Sequence, residues 1–149
     1  ETYYLPNVMA EILRHFDKDT KVQVDGHIPE IALRIDLGRF KFLIKNLIDN
    51  ALNHSASESP VLINCLENND ELAIQVRDFG CGINEQDFDK IFEPFSQAGD
   101  IDHRSNNGVG LGLYLCRQIA IAHDGTIEVQ STSGQGSKFT VRLPVKANR

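Results

Sequence analysis

The sequence predicts an α+β fold, a two-layer α/β sandwich in which one mixed β-sheet carries three main helices on a single face. Two observations predict it. Residues 8–16, 40–55 and 113–123 each repeat apolar side chains at helical spacing along one stripe, as helices do when one face is buried. Residues 21–25, 32–35, 61–67, 71–77, 126–131 and 138–143 are strand-like runs lying outside those helices, several of them alternating polar and apolar. The chain's 149 residues make one domain's worth of sequence, enough to bury roughly 70% of the unfolded surface.

Taken in order, residues 2–5 read as a short edge strand stopped by Pro6, which also suits the first turn of the helix that follows. A turn at 25–29 (DGHIP) separates the next two short strands, and Asp36 is placed to cap the long second helix. Residues 61–67 and 71–77 form a hairpin across Asn68, Asn69 and Asp70. A short helix is expected over 87–92, closed by Pro94. The polar run 96–107 (SQAGDIDHRSNN) is too long for an ordinary connection and reads as a functional loop. The glycines at 108–112 open a third helix, whose core face is Leu113, Cys116, Ile119, Ala120 and His123 and whose C-cap is Gly125. A turn at 134–136 joins the last two strands.

Composition excludes several functions. A net charge of −6 argues against unspecific nucleic-acid binding, which needs a basic patch. Cys65, Cys81 and Cys116 are odd in number and far apart, which favours reduced thiols over a disulfide frame or zinc site. No apolar run is long enough to span a membrane and no signal peptide opens the chain. The start at Glu1 leads us to expect a piece of a larger protein, whose remainder is free to be membrane-bound.

Three stretches carry candidate chemistry. Asn46, Asn50 and Asn53 lie at i, i+4 and i+7 of the second helix, although Asn is a poor helix-interior residue. They form either a solvated face or a stripe that offers amide groups to a ligand. Asp78-Phe79-Gly80-Cys81-Gly82-Ile83 follows a strand, so Asp78 either closes an Asx-type turn or accepts a hydrogen bond from an exocyclic amine of the kind adenine offers. Gly108-Val109-Gly110-Leu111-Gly112 opens a helix, where free N–H groups and the dipole favour phosphate. It is not a dinucleotide fingerprint, no GxxxxGK[ST] loop is present, and Asp78-Phe79-Gly80 lacks the rest of the protein-kinase signature. Oxygen donors from Asn and phosphate suit Mg²⁺, and no transition-metal spacing occurs.

In this order the motifs resemble the ATP-binding catalytic domain of bacterial sensor histidine kinases, within the GHKL superfamily of gyrase B, Hsp90 and MutL. The resemblance covers essentially the whole chain. Asn46 to Ala51 is similar to the family's N box, Asp78 to Ile83 to its first glycine box and Ile91 to Phe95 to its F box. Gly108 to Leu113 is similar to the second glycine box and Gly134 to Phe139 to the last glycine motif. Residues 95–98 (FSQA) look more weakly like hybrid sensor kinases.

The resemblance implies a Bergerat ATP-binding fold over residues 1–149 that binds Mg²⁺ and ATP and donates the γ-phosphate to a histidine. That histidine would lie on a separate dimerisation domain, because no histidine here has the acceptor's sequence context. The isolated chain is therefore expected to be largely monomeric and unable to phosphorylate itself. Its implied partners are that phosphoacceptor domain and a response-regulator receiver domain, and its implied setting is the cytoplasmic part of an inner-membrane sensor kinase. Asn50 would ligate Mg²⁺, Asp78 would bind the adenine amine, Gly110 to Gly112 would cradle phosphates and residues 96–107 would form a lid. Asn53, His54, Gly80, Gly82, Ile83, Phe95, Gly108, Val109 and Leu111 complete the implied ATP site.

Asn46 stands where hydrolysing relatives place a general-base Glu, and a neutral amide cannot activate water. Three positions depart from the family pattern: Asn53 where a basic residue is frequent, His54 where an aromatic often lies, and Val109 where Thr is usual. Arg104 is the candidate to restore positive charge during transfer, or else a solvated loop arginine. The alternatives are a GHKL-type ATPase and a docking module independent of nucleotide.

Overall fold

A computed structural model describes residues 1–16, 21–56, 58–94 and 112–145. The elements are β1 (Thr2–Tyr4), α1 (Leu5–Arg14), β2 (Val22–Val24), β3 (Ala32–Arg34), α2 (Leu37–His54), β4 (Val61–Asn68), β5 (Glu71–Asp78), α3 (Gly112–Ala122), β6 (Thr126–Thr132) and β7 (Gly136–Pro144). Strands β2, β4, β5, β7 and β6 lie side by side in that order. The β2–β4 pair is parallel and the other three are antiparallel, so the sheet is mixed as the sequence predicts.

Period-2 alternation divides the sheet into an apolar and a polar face. One cross-strand row runs Ile63, Val76, Phe139, Val129 and the next Cys65, Ile74, Val141, Ile127. These side chains pack with Phe40, Leu43, Ile44, Leu47 and Ile48 of α2 and Cys116 and Ala120 of α3 in one core. The opposite face presents Asn64, Gln75, Thr140 and Glu128 in a single row. Helix α1 buries Leu5, Val8, Met9 and Ile12 in the same core.

Strands β1 and β3 form an antiparallel ribbon of their own, separate from the five-stranded sheet. Its ends reach both neighbouring helices: Leu5 N–H donates to Ile31 O at 2.8 Å and Ile35 N–H to Glu1 O at 3.0 Å. The ribbon thus fixes where α1 begins and the approach to α2. Asp36 caps α2 as expected, its carboxylate accepting from Arg39 N–H at 3.1 Å.

Two expectations are corrected. Residues 87–92 are not one helix; two 3₁₀ turns, Glu85–Asp87 and Lys90–Phe92, stand there. Only Ile91 and Phe92 of these turns are buried, too few apolar positions to hold a continuous amphipathic helix. Gly125 is not the left-handed residue that ends α3, because Asp124 takes that conformation at φ 63°. Asp124 N–H donates to Ile121 O and Gly125 N–H to Ala120 O, the paired bonds of a Schellman motif. A Cβ on Gly125 would strike the Arg142 carbonyl of β7, which explains the glycine by close approach instead.

His123, expected on the core face of α3, is a tie between helices. It approaches Ile119 O through Nδ1 at 2.9 Å and accepts Asp36 N–H at Nε2 at 3.0 Å. The neutral ring with its proton on Nδ1 satisfies both bonds. The C-terminus of α3 is thereby joined to the N-cap of α2.

Candidate nucleotide site

The site is built where β5 runs out. Alternation brings Asp78 onto the inward face, in register with Ser137 of β7, and leaves it 2% exposed. Its Oδ1 accepts Gly80 N–H at 2.9 Å. Burial pushes the Asp78 carboxyl above its usual range, while the Gly80 N–H, His54, the Ser137 backbone and Arg77 pull the other way. A desolvated acceptor at a strand end is suited to a ligand N–H.

The loop from Asp78 to Ile83 is held by backbone contacts on two sides. A Cβ on Gly80 would collide with the His54 carbonyl oxygen and stand 2.7 Å from its carbonyl carbon, so the loop lies directly on the C-terminus of α2. From the other side, Gly136 (φ 96°) presses against the Asp78 carbonyl, and a Cβ there would stand 2.8 Å from Phe79 Cα. Only glycine meets both the left-handed backbone and the lack of space. Gly82 lies against the Thr132 backbone, and Gly134 N–H donates to Cys81 O at 2.6 Å. Ile83 packs partly buried against the core. Outside the loop, the Arg77 guanidinium lies 4.8 Å from the Phe79 ring centroid.

The candidate site's second wall is α2, which meets the loop at the His54 carbonyl. Asn46 and Asn50 are half-buried, whereas Asn53 and His54 are exposed. Gly112 starts α3, which packs beside α2 with Cys116 Sγ 3.8 Å from Leu43 O. The structure therefore brings His54, Asp78 and Gly80 together. Phe95, Arg104, Gly108, Val109, Gly110 and Leu111, with the expected lid at 96–107, lie outside the described residues.

Sequence reasoning missed Ser131 and gave Ser137 no role. Ser131 Oγ accepts Ile83 N–H at 2.7 Å, donates to Gly136 O at 2.8 Å and lies 3.0 Å from Ser137 Oγ. A signal existed: the inward row of β6 reads Ile127, Val129, Ser131, and that of β7 reads Leu143, Val141, Phe139, Ser137. Polar residues at inward positions of apolar rows need partners.

The donor chemistry fits Mg²⁺ only in part. Asn50 offers one neutral, hard oxygen from a half-buried position on α2. Among the described residues no group of three His, Cys, Asp or Glu side chains stands ready for a metal. An ion here would need phosphate and water oxygens to complete its shell.

The chain is thus an α/β sandwich whose five-stranded mixed sheet carries a buried carboxylate at the end of β5, beside a glycine-bearing loop. Comparison with known proteins gives the family: the histidine kinase-, DNA gyrase B- and HSP90-like ATPase model matches residues 35–147. The chain belongs to that family, and its relatives are sensor histidine kinases. The alginate biosynthesis sensor protein KinB of Pseudomonas aeruginosa is 40% identical over 113 residues, covering 76% of this chain and 18% of KinB. Sensor histidine kinase RcsC of Escherichia coli is 37% identical over 122 residues, 82% of this chain and 13% of RcsC. The chain thus spans less than a fifth of these curated relatives. Among solved structures, the mycobacterial sensor histidine kinase MprB superposes with a TM-score of 0.84 at 21% identity, covering 97% of each chain. The catalytic domain of histidine kinase ThkA gives 0.79 at 23% identity, covering 97% of this chain and 94% of the other. These two likenesses establish the shared fold.

Proposed function

We propose that residues 1–149 act as one ATP-binding catalytic domain that donates the γ-phosphate of ATP to a histidine on a dimerisation domain of its parent protein. The observation that supports this reading is Asp78, a buried carboxylate at the end of β5 beside a glycine-bearing loop, which would accept the adenine amine. Asn50 would hold Mg²⁺ together with phosphate oxygens, and the ion would supply charge neutralisation to the phosphates. The glycines from 108 to 112 would receive the phosphates at the start of α3, and Arg104 would add positive charge during transfer. Phosphoryl transfer needs positioning and electrostatic stabilisation more than covalent chemistry from the protein. A response-regulator receiver domain would take the phosphate onward, and the parent would sit in the inner membrane with this domain in the cytoplasm. Among the described residues no helix is long and apolar enough to cross a membrane.

Asn46 favours phosphoryl donation over the ATPase reading, since its amide cannot deprotonate water. Steady phosphate release by the chain alone would reverse that preference. The test of the site is calorimetric titration with ATP, with and without Mg²⁺, and with GTP as control. Saturable, adenine-selective binding is expected. No heat and no thermal protection at millimolar ATP would leave a docking module on the same fold.

A further inference from the structure

We propose that Ser131 is a positioning residue for the adenine end of this site, holding the loop after Asp78 in the form that distinguishes adenine from guanine. The inference rests on the nucleotide-binding reading above. Ser131 is on β6, and its hydroxyl is used to capacity. The one hydrogen goes to Gly136 O at 2.8 Å, one lone pair takes Ile83 N–H at 2.7 Å, and Ser137 Oγ lies within hydrogen-bond distance at 3.0 Å.

These partners stand at both ends of the Asp78 loop. Ile83 is its last residue. Gly136 packs against the Asp78 carbonyl, and Ser137 stands opposite Asp78 in the β5–β7 register. A continuous chain of contacts therefore runs from Ile83 through Ser131 to Gly136 and Ser137 and back to Asp78, whose Oδ1 takes Gly80 N–H. Removing the hydroxyl leaves Ile83 N–H and Gly136 O without this partner, while the apolar rows of β6 and β7 lose nothing. The loop is then free to shift its amide edge relative to Asp78. Selectivity between purines depends on that placement, because a misplaced donor or acceptor penalises the correct base as well as the wrong one.

The experiment compares the parent chain with Ser131→Ala and Ser131→Thr, the latter keeping the hydroxyl. Three quantities are read: ATP and GTP affinities by calorimetry, the nucleotide-free melting midpoint, and hydrogen exchange at the Ile83 amide. In Ser131→Ala we expect ATP affinity to fall about tenfold, the ATP-to-GTP preference to shrink and Ile83 to exchange about tenfold faster. Amides of the β4–β5 hairpin should keep their protection, and Ser131→Thr should restore most of the loss. Unchanged affinity and preference in Ser131→Ala would overturn the role. So would faster exchange spread evenly over the sheet, which marks general destabilisation. Failure of the parent chain to bind any nucleotide would instead sink the reading of the site, and the adenine role of Ser131 with it.

Discussion

The two walls of the candidate site are made by different means. The loop wall, Asp78 to Ile83, is defined by backbone: Gly80 lies on the His54 carbonyl, Gly136 on the Asp78 carbonyl, and Gly82 on Thr132. The helix wall is defined by side chains, with Asn46 and Asn50 half-buried and Asn53 and His54 exposed on a helix whose other face is core. Where backbone meets backbone, added atoms have nowhere to go. On a half-exposed helix stripe, a changed side chain alters chemistry and leaves packing alone. The loop wall should therefore fail by losing its fold, and the helix wall by losing function.

The largest effect should come from Gly80→Ala. Its Cβ would fall on the His54 carbonyl, and α2 cannot retreat because Leu47, Ile48 and Ala51 fix it in the core. We expect a loss of about 3 kcal/mol or more in urea unfolding, at the upper end for overpacking because the obstacle is backbone. A loss under about 1 kcal/mol would show that the loop and helix can separate easily, and the contrast between the walls would weaken.

Asp78→Asn divides fold from function within the loop wall. Because burial raises the folded pKa above the unfolded value, the ionised carboxyl opposes folding at neutral pH. That opposition is fully present above the folded pKa and disappears as pH falls below the unfolded value, where both states are protonated. The Asn variant does not titrate. Without nucleotide it should be at least as stable as the parent at neutral pH, and this advantage should shrink as the pH drops into the carboxylate range. Adenine-nucleotide affinity should fall at least about tenfold, since the neutral amide replaces a charged acceptor. Thermal melts across pH with parallel titrations check both parts, and an Asn variant that keeps its ATP affinity would remove Asp78 from the site.

On the helix wall, Asn50→Ala should change stability by less than about 0.5 kcal/mol, because the residue is only half-buried and Ala is the better helix former. What should disappear is the difference in ATP affinity measured with and without Mg²⁺. A variant that retains the full Mg²⁺ effect would place the ion elsewhere.

Much of the layout was legible because it depends on local pattern. The stripe Phe40, Ile44, Leu47, Ile48 and Ala51 marks α2, and all five are buried. Alternation marks the β4–β5 hairpin, whose turn places Asn69 and Asp70 at positive φ. The pairing of β1 with β3 was not legible, since both are three residues long and nothing local specifies a partner. The 3₁₀ turns were missed because i, i+3 spacing over so short a run does not distinguish them from one helical turn. Asp78 and the glycines of the candidate site stand out in the sequence by residue type, whereas Gly125, after α3, reads as a cap because a glycine needed for close approach resembles one needed for positive φ. Ser131 was hidden by long range: its partner Ile83 is 48 residues away, and only the strand register brings them together.

The smallest effect, and the one that tests the helix wall most finely, is Asn53→Lys. Asn53 is exposed in the last turn of α2, so a lysine there displaces nothing. A cation at a helix C-terminus gains about 0.3–1 kcal/mol from the dipole at low salt, and the variant should melt slightly above the parent. The resemblance to sensor kinases puts a basic residue at this position often, where it would reach nucleotide phosphate. If α2 forms the phosphate side of the site, ATP affinity should rise about threefold at low salt and the gain should fade as salt screens an exposed charge. Adenosine, which has no phosphate, should bind parent and variant alike. An equal gain for adenosine would mean the lysine acts through the fold, and a stability gain with no change for ATP would put the phosphates away from this end of α2.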